Sequence, residues 1–541
     1  MKKSKNLVNI LTVHKLAIYI GLLLAIIITL PYIYGYLKFG DNFSPLISNE
    51  NLSYIREETY SYSAQVNQTT KGHLFGDAYI WEYRNLPSPF VGELAGVIPI
   101  AISSIAINSV PYGFFIAKLI LAPMLLLLIY YSLQKLKYSR PFSILASISV
   151  IVIPFLSTLM PYLSHQDTLL TGAINSPLLF FRTINPLSTS IYLFLALFST
   201  ILVLRNSSSR LFYFWPVVIG ITFYSTTFIW TTVSLALFIL APSLLKSISK
   251  RKLIISILIF ITITLPYFIN FVLASEFFDT KGFLLTFSYK PEIMFPAQVR
   301  YILIALLFVW YSRKSHFSKV VFAFILSASI LMDLHQVVIS RNVQADHYIS
   351  RIMAPIATLS IFIIIYERFV FLKKNGLIWI ILTVIILAVG FNQQLSWIKH
   401  YQDDFKQLSY RKNITDYISK NTNKNDVIGT LDPDINDEIQ ANTGRWVYIA
   451  PGDRTFVAHN EQLTRICDLA ILLNKNESNP EVKRAVYYSL ALESRNENKV
   501  NSSVNLVRDC IRQKEKAPHY KINYLISNID ESTNWEIIKI N

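Results

Sequence analysis

Long apolar stretches separated by short basic segments fill the first 394 residues of the chain. Many of these stretches approach the ~20 residues that an α-helix needs to cross the hydrocarbon core of a bilayer. The pattern predicts about eleven membrane-spanning helices, near residues 16–36, 113–133, 141–163, 187–204, 211–229, 231–245, 253–274, 299–311, 320–334, 353–371 and 376–392. The fold class expected is therefore a polytopic α-helical membrane protein.

The pattern changes near residue 395, where polar residues take over and apolar runs become short or alternating. This is typical of a soluble α/β domain. We predict strands at 426–431, 445–450, 520–527 and 535–540, and helices at 404–420, 460–474, 480–494 and 503–514. The domains expected are thus a membrane domain, 1–394, and an α/β domain, 395–541. Its two cysteines, Cys467 and Cys510, could form one disulfide if this domain is extracytoplasmic.

Charge gives the expected orientation. The net charge is +16, yet only 16% of residues are charged, and the basic ones gather in short loops between apolar runs. That arrangement sets topology and does not suit nucleic acid, so we expect no nucleic-acid partner. It predicts a multi-pass protein of the plasma membrane with a cytoplasmic N-terminus, a first outer loop at 38–111 and an extracytoplasmic α/β domain. Residues 92–108, which include Glu93, are predicted as an interfacial or re-entrant segment.

The first outer loop carries unusual chemistry. A helix over residues 53–71, ended by Gly72, would place Glu57 and Glu58 one turn before Ser61 and Tyr62. Asp77 and Arg84 follow, the latter a candidate substrate-binding residue. Carboxylates at a membrane-facing cleft can deprotonate a hydroxyl or bind a divalent cation. A solvated helix with ordinary surface acids is the alternative.

A second outer segment, 164–185, contains His165, Asp167 and Arg182. His165 and Asp167 could complete a metal site with Glu57 or Asp77, for which Mg²⁺ or Mn²⁺ is the candidate cofactor, or they could cap a helix. Arg182 is well suited to a lipid phosphate.

Two further outer segments add cationic groups. Residues 335–351 include His347, Tyr348 and Arg351, which could stabilise a phosphate leaving group or bind a lipid headgroup. In the α/β domain, residues 445–456 with Arg454 are a candidate lip of the same site or an ordinary hairpin.

The first loop resembles that of the GT-C superfamily of polyprenyl-phosphate-dependent glycosyltransferases, in its protein mannosyltransferase and aminoarabinose transferase branches. Glu57-Glu58-Thr59 falls on an acidic pair of those proteins, and Tyr62, Gly72 and Pro87-Ser88-Pro89 follow at corresponding places. The relatives usually carry Asp as the catalytic acid, so the base here could be Glu57, Glu58 or Asp77.

The resemblance implies an inverting transferase at the outer membrane face. A polyprenyl-phosphate-sugar would be the donor, and a hydroxyl on a lipid, glycan or protein the acceptor. Glu57 or Glu58 would be the base and Asp77 a second acid for acceptor or metal. Arg182, His347 and Arg351 would hold the phosphate.

Two other classes remain open. A transporter or flippase for lipid-linked sugars would use the same basic outer segments without a catalytic acid. A catalytically silent relative would assist another enzyme. The transporter class is disfavoured because Lys118 and Asp333 are predicted near helix ends, which leaves little charge inside the membrane.

Overall fold

The computed structural model describes most of the chain, and every structural statement below concerns these residues: 2–47, 53–88, 93–153, 177–206, 211–276, 291, 295–312, 316–340, 342–408, 411–455, 457–476, 478–490, 496–513, 518–528 and 535–540. The apolar part is almost wholly helical. Its helices are α1 (Lys2–Phe39), α2 (Ser53–Ser61), α3 (Ser63–Thr70), α4 (Leu94–Ile107), α5 (Val110–Lys135), α6 (Arg140–Val152), α7 (Thr189–Arg205), α8 (Leu211–Ile221), α9 (Thr227–Ser247), α10 (Lys250–Ala274), α11 (Phe295–Tyr311), α12 (His316–Ile339), α13 (Ala354–Arg368), α14 (Val370–Lys374) and α15 (Gly376–His400).

Among the described residues, eight helical stretches are long and apolar enough to cross a membrane. They correspond to all or most of α1, α5, α7, α9, α10, α12, α13 and α15. The start of α5 shows how the sequence sets such a helix: the Ser109 side chain accepts a hydrogen bond from the Tyr112 N–H, and Pro111 occupies the first turn. The polytopic helical class predicted from the sequence is confirmed.

The remaining predicted spans are shorter helices. The third, at 141–163, corresponds to α6 and then runs into residues outside the described ranges. The predicted boundary between the fifth and sixth spans, at residue 230, is displaced, because helical backbone ends by Ser225 and α9 begins at Thr227. α4 has 14 residues and a length of about 21 Å, which is short of the ~30 Å hydrocarbon core. This length is compatible with the interfacial or re-entrant placement, which stays a prediction because the structure contains no membrane.

The first loop contains two helices where one was predicted. α2 ends at Ser61, Tyr62 leaves the helical conformation with φ −125° and ψ −25°, and α3 begins at Ser63. Gly72 follows α3 with φ +85°. A side chain disfavours that left-handed conformation, so glycine is suited to stopping the helix there.

An α/β unit follows α15. Its helices are α16 (Gln402–Leu408), α17 (Arg411–Asn421), α18 (Pro433–Glu438), α19 (His459–Leu472), α20 (Pro480–Leu490) and α21 (Glu497–Gln513), and its strands are β1 (Val427–Gly429), β2 (Trp446–Val447), β3 (Tyr524–Asn528) and β4 (Trp535–Lys539). The strand order is β2-β1-β3-β4, with β1 parallel to β2 and β3, and β4 antiparallel to β3. All four predicted strands occur, and the predicted helix 404–420 corresponds to α16 and α17. A disulfide joins Cys467 on α19 to Cys510 on α21.

The first loop packs directly on this α/β unit. The Val447 N–H donates to the Tyr79 carbonyl at 3.2 Å, which extends hydrogen bonding beyond β2. The Gln440 side chain donates to the Ala78 carbonyl at 2.7 Å, and the Asn67 side chain donates to the Gln440 carbonyl at 2.7 Å. The loop therefore joins the membrane helices to the α/β unit, and side chains from both parts meet beside it.

Candidate functional site

Glu58, a predicted base, is a buried partner in an ion pair. Its Oε2 atom lies 2.8 Å from the Lys118 ammonium and accepts a hydrogen bond from the Tyr32 hydroxyl at 3.0 Å. The Thr183 N–H donates to its Oε1 atom. Lys118 lies about two turns inside α5 and not at its end, and its ammonium also sits 3.9 Å from the centre of the Phe181 ring. Both oxygens of Glu58 are thus engaged, which is the arrangement of a structural group.

Asp77, predicted as a second acid, holds the first loop together. Its Oδ1 atom accepts hydrogen bonds from the N–H groups of Tyr79 and Ile80 at 2.8 and 2.9 Å. Its Oδ2 atom accepts from the Thr455 hydroxyl at 2.6 Å. The carboxylate therefore caps a turn and ties it to the α/β unit. Its role as a second acid stays a prediction.

Two predicted substrate-binding residues also have other contacts. The Arg84 guanidinium stacks 3.6 Å from the centre of the Trp81 ring and donates to the Trp81 carbonyl at 2.6 Å. Tyr348 is 3% exposed, and its hydroxyl lies 3.3 Å from the Thr231 hydroxyl on α9. Tyr348 thus packs in the helical core, and we leave both residues out of the candidate site.

His347 and Arg351 form the centre of a different group of polar residues. His347 lies in the short helix Asp346–Tyr348, and Arg351 lies one turn later, in the widened turn Ile349–Met353 that leads into α13. The Arg351 Nη2 atom is 2.8 Å from His347 Nε2. Because arginine can only donate, Nε2 must accept, and the ring proton lies on Nδ1. Nδ1 is buried and has no hydrogen-bond partner in the described structure. Arg182 is close enough to His347 to interact electrostatically with it.

Arg454 of the α/β unit reaches the same place. Its guanidinium lies 3.7 Å from the Glu93 carboxylate, at the start of α4, and 3.7 Å from the Asp453 carboxylate. It also interacts electrostatically with Arg351, and so does Glu93. We call these residues the interface cluster; its members are Tyr62, Glu93, Arg182, His347, Arg351, Asp453 and Arg454.

The local backbone explains how Arg454 and Tyr62 come to face each other. A Cβ atom on Gly452 would clash with the carbonyl of Ser489, so the turn that carries Arg454 can lie against α20 only with glycine there. The break after α2 places the Tyr62 ring 5.4 Å from the Arg454 guanidinium carbon. The loop that the sequence singled out therefore contributes to the site through the helix break at Tyr62.

Burial shapes the acid–base behaviour of the cluster. It raises the pKa of the Glu93 carboxyl above its ordinary value, although Arg454 and Arg351 oppose this rise. Burial likewise raises the pKa of Asp453, against the opposing effect of Arg454. The Glu93 Oε2 atom is buried and has no hydrogen-bond partner in the described structure. Glu93 is therefore an acid that gains a proton more readily than a solvated glutamate, beside the guanidinium groups of Arg454 and Arg351.

The donor set of the cluster suits an anion better than a metal cation. Its two acids both face Arg454, and no group of three His, Cys, Asp or Glu residues able to hold a metal occurs in the described ranges. A divalent cation here would be repelled by three arginines. The side chain of Glu57 and all of His165 and Asp167 lie outside the described residues. The metal hypothesis that rests on them stays a prediction.

Sequence reasoning selected Arg182, His347 and Arg351 as a phosphate site and Arg454 as a lip, and the structure brings these four residues together. Sequence reasoning missed Glu93 and Asp453 as site residues. Glu93 did carry a signal, because it is an acid at the start of an apolar segment, and such residues are rare without a function or a partner. Asp453 carried none beyond its place next to Arg454.

Comparison with known proteins gives similarity at the level of solved structures. No family model matches the chain, and no curated protein matches it. Among solved structures, the chain is similar to the crystal structure of ArnT from Cupriavidus metallidurans bound to undecaprenyl phosphate, with a TM-score of 0.49 and 8% sequence identity. The similarity covers 78% of this chain and 85% of that chain. At this identity and TM-score the similarity assigns no role to the residues of the site.

Proposed function

We propose that this protein is a GT-C-type glycosyltransferase that moves a sugar from a polyprenyl-phosphate donor to a hydroxyl acceptor at the outer face of the membrane. One observation carries the proposal: the interface cluster places three arginines, the N–H of His347 and the Glu93 carboxylate together where membrane helices meet the α/β unit. A lipid donor needs such a site, because its phosphate lies at the membrane surface while its chain stays in the bilayer.

The cationic side of the cluster fits the phosphate of the donor. Guanidinium groups form strong, charge-assisted hydrogen bonds to phosphate oxygens. As the bond between the sugar C1 atom and the phosphate oxygen breaks, negative charge grows on that oxygen, and Arg182, Arg351 and Arg454 would stabilise it. The His347 Nδ1–H would add a neutral donor.

Glu93 is our proposed general base, in place of Glu58 and Asp77. It would take the proton of the acceptor hydroxyl as the acceptor oxygen attacks C1, and polyprenyl phosphate would leave with the electrons of the broken bond. A single displacement of this kind inverts the configuration at C1. Glu57, which the family resemblance favours, remains the competing base, and Asp453 is the second acid within the cluster.

The test is transfer of radiolabelled sugar from defined polyprenyl-phosphate donors to a total membrane extract, with purified wild type and single variants. We expect Glu93→Gln to lower transfer about 10²- to 10⁴-fold while donor binding persists, and Arg351→Gln to weaken donor binding. Glu497→Gln, on the exposed face of α21, is the matched control and should transfer as wild type. Since a base must be deprotonated, the acid limb of the wild-type rate should lie above 4.5, the ordinary pKa of a glutamate.

Other outcomes assign the function differently. If Glu57→Gln abolishes transfer and Glu93→Gln does not, the base is the one that the resemblance implies. If wild type transfers label and every acid variant matches it, the assignment of the base fails. If wild type consumes no donor, the transferase proposal itself fails. The transporter or accessory class is then favoured, because neither needs a carboxylate to accept a proton.

A further inference from the structure

A cavity lies well away from the interface cluster. It has a volume of about 540 Å³ and is lined by the loop after α5, the ends of α11 and α13, and α14. We call it the basal pocket; its lining residues are Leu136, Lys137, Tyr138, Trp310, Tyr311, Tyr366, Glu367, Arg368 and Lys373. None of these residues belongs to the site proposed above.

Contacts along the helices place this pocket at the opposite end of the membrane part. α5 has 26 residues and is about 39 Å long; it starts beside the first loop and ends next to the pocket. The Arg205 side chain at the end of α7 contacts the Lys135 carbonyl at 3.5 Å. At the other end of the bundle, Asn270 near the end of α10 donates to the Ser88 carbonyl of the first loop at 2.7 Å. The two sites are thus about a membrane thickness apart.

The pocket carries excess positive charge. Its one carboxylate, Glu367, accepts hydrogen bonds on both oxygens, from the Tyr138 hydroxyl at 2.8 Å and the Ser312 hydroxyl at 2.7 Å. The pocket is also lined by three cations, Lys137, Arg368 and Lys373. A site with three cations and one engaged carboxylate attracts an anion.

The aromatic and apolar surroundings indicate what kind of anion. The Arg368 guanidinium lies 3.8 Å from the centre of the Tyr311 ring, so it is held flat over an aromatic surface. Trp310, at the rim, is 62% exposed. Leu303 and Leu307, which share a face of α11 with Trp310, are also exposed, and so is Phe371 on α14. Aromatic residues of this kind mark the level of lipid headgroups, and exposed leucines on an apolar helix of the membrane part are suited to contact acyl chains.

We propose that the basal pocket binds the headgroup of an anionic phospholipid, with its acyl chains along the exposed face of α11. The phosphate would lie among Lys137, Arg368 and Lys373, and the glycerol backbone against Trp310. Basic pockets between membrane helices are known to take anionic headgroups in this way. A soluble phosphate would gain nothing from the exposed apolar rim, which is why a lipid is the favoured occupant.

The experiment uses the full chain in detergent and counts bound lipid by native mass spectrometry, with phosphatidylglycerol and phosphatidylcholine as probes. Wild type should retain one phosphatidylglycerol in preference to phosphatidylcholine. The triple variant Lys137→Gln, Arg368→Gln, Lys373→Gln should weaken that binding at least tenfold, since each lost cation near the headgroup removes attraction. The matched control is Lys246→Gln, Lys250→Gln, Arg251→Gln, which removes three exposed cations at the same end of the bundle but outside the pocket and should bind as wild type.

Several results overturn the proposal. Equal loss of phosphatidylglycerol binding in both triple variants would mean that the basic surface as a whole attracts the lipid, and not the pocket. Inorganic phosphate that displaces the lipid at millimolar concentration or lower would indicate a soluble ligand, and preferential retention of polyprenyl phosphate would indicate the donor lipid. A conservative variant, Lys137→Arg with Lys373→Arg, should keep lipid binding; if it does not, the charge argument is wrong. Unfolding temperatures of the lipid-free variants show whether each is folded.

Discussion

Glu58 and Lys118 are each charged in water, and the fold removes both from it. The exposed fractions of the two residues are 1% and 0%. Burying such groups is costly, and their attraction offsets the cost only when hydrogen bonds satisfy the remaining atoms. Here the Tyr32 hydroxyl contacts both, since Lys118 donates to it at 2.7 Å and it donates to Glu58 at 3.0 Å. The pair ties α2 to α5, and through Thr183 to the segment that carries Arg182.

This pair gives a prediction at the residue scale. Lys118→Met should lower the free energy of unfolding by about 3–5 kcal/mol, because it leaves a buried carboxylate without its cation. Glu58→Gln combined with Lys118→Met should recover much of that loss. The measurement is a double-mutant cycle from detergent-solubilised unfolding, with Lys135→Met, an exposed lysine on the same helix, as control. Strictly additive losses would show that the two side chains are not coupled.

At the scale of elements, the turn at residues 77–80 decides how the first loop meets the α/β unit. Asp77 accepts three hydrogen bonds there. An asparagine keeps one carbonyl oxygen for the Tyr79 and Ile80 N–H groups, and its amide can donate to the Thr455 hydroxyl. It cannot act as a general base. The two substitutions Asp77→Asn and Asp77→Ala therefore separate a capping role from a catalytic one.

We expect Asp77→Asn to retain sugar transfer and Asp77→Ala to lower the unfolding temperature, since it leaves two buried N–H groups and a hydroxyl without their acceptor. Both variants are compared with wild type by transfer rate and thermal unfolding. Loss of transfer in Asp77→Asn with an unchanged unfolding temperature would restore Asp77 as a catalytic acid.

The elements themselves could largely be predicted, and the reason is local. The length of an apolar run, a glycine with positive φ such as Gly72, and a short apolar strand such as β3 all follow from nearby residues. Partners could not be predicted, because Glu58 meets Lys118, and Glu93 meets Arg454, only when distant segments pack. The contact of the Tyr62 ring with Arg454 of the α/β unit is likewise a contact between distant segments. Sequence therefore indicated which segments carry chemistry but not which acid would lie beside the arginines.

At the scale of the whole molecule, the two ends of the helical bundle differ in chemistry. One end carries the α/β unit, the interface cluster and a disulfide between Cys467 and Cys510. The other ends in exposed lysines and arginines, including Lys246 and Lys250. Basic loops favour the cytoplasmic side, and a disulfide persists in an oxidising compartment. Both observations favour the same orientation, with the α/β unit outside the cell.

Labelling of single added cysteines tests this orientation. The disulfide keeps Cys467 and Cys510 unreactive, so Lys424→Cys in the α/β unit and Lys246→Cys at the far end can each be introduced into the wild-type chain. We expect a membrane-impermeant maleimide to label Lys424→Cys in intact cells and Lys246→Cys only after permeabilisation. The reverse pattern would place the α/β unit in the cytoplasm, where glutathione would reduce the disulfide. The interface cluster would then face cytoplasmic acceptors, and transfer at the outer face would be impossible whatever the role of Glu93.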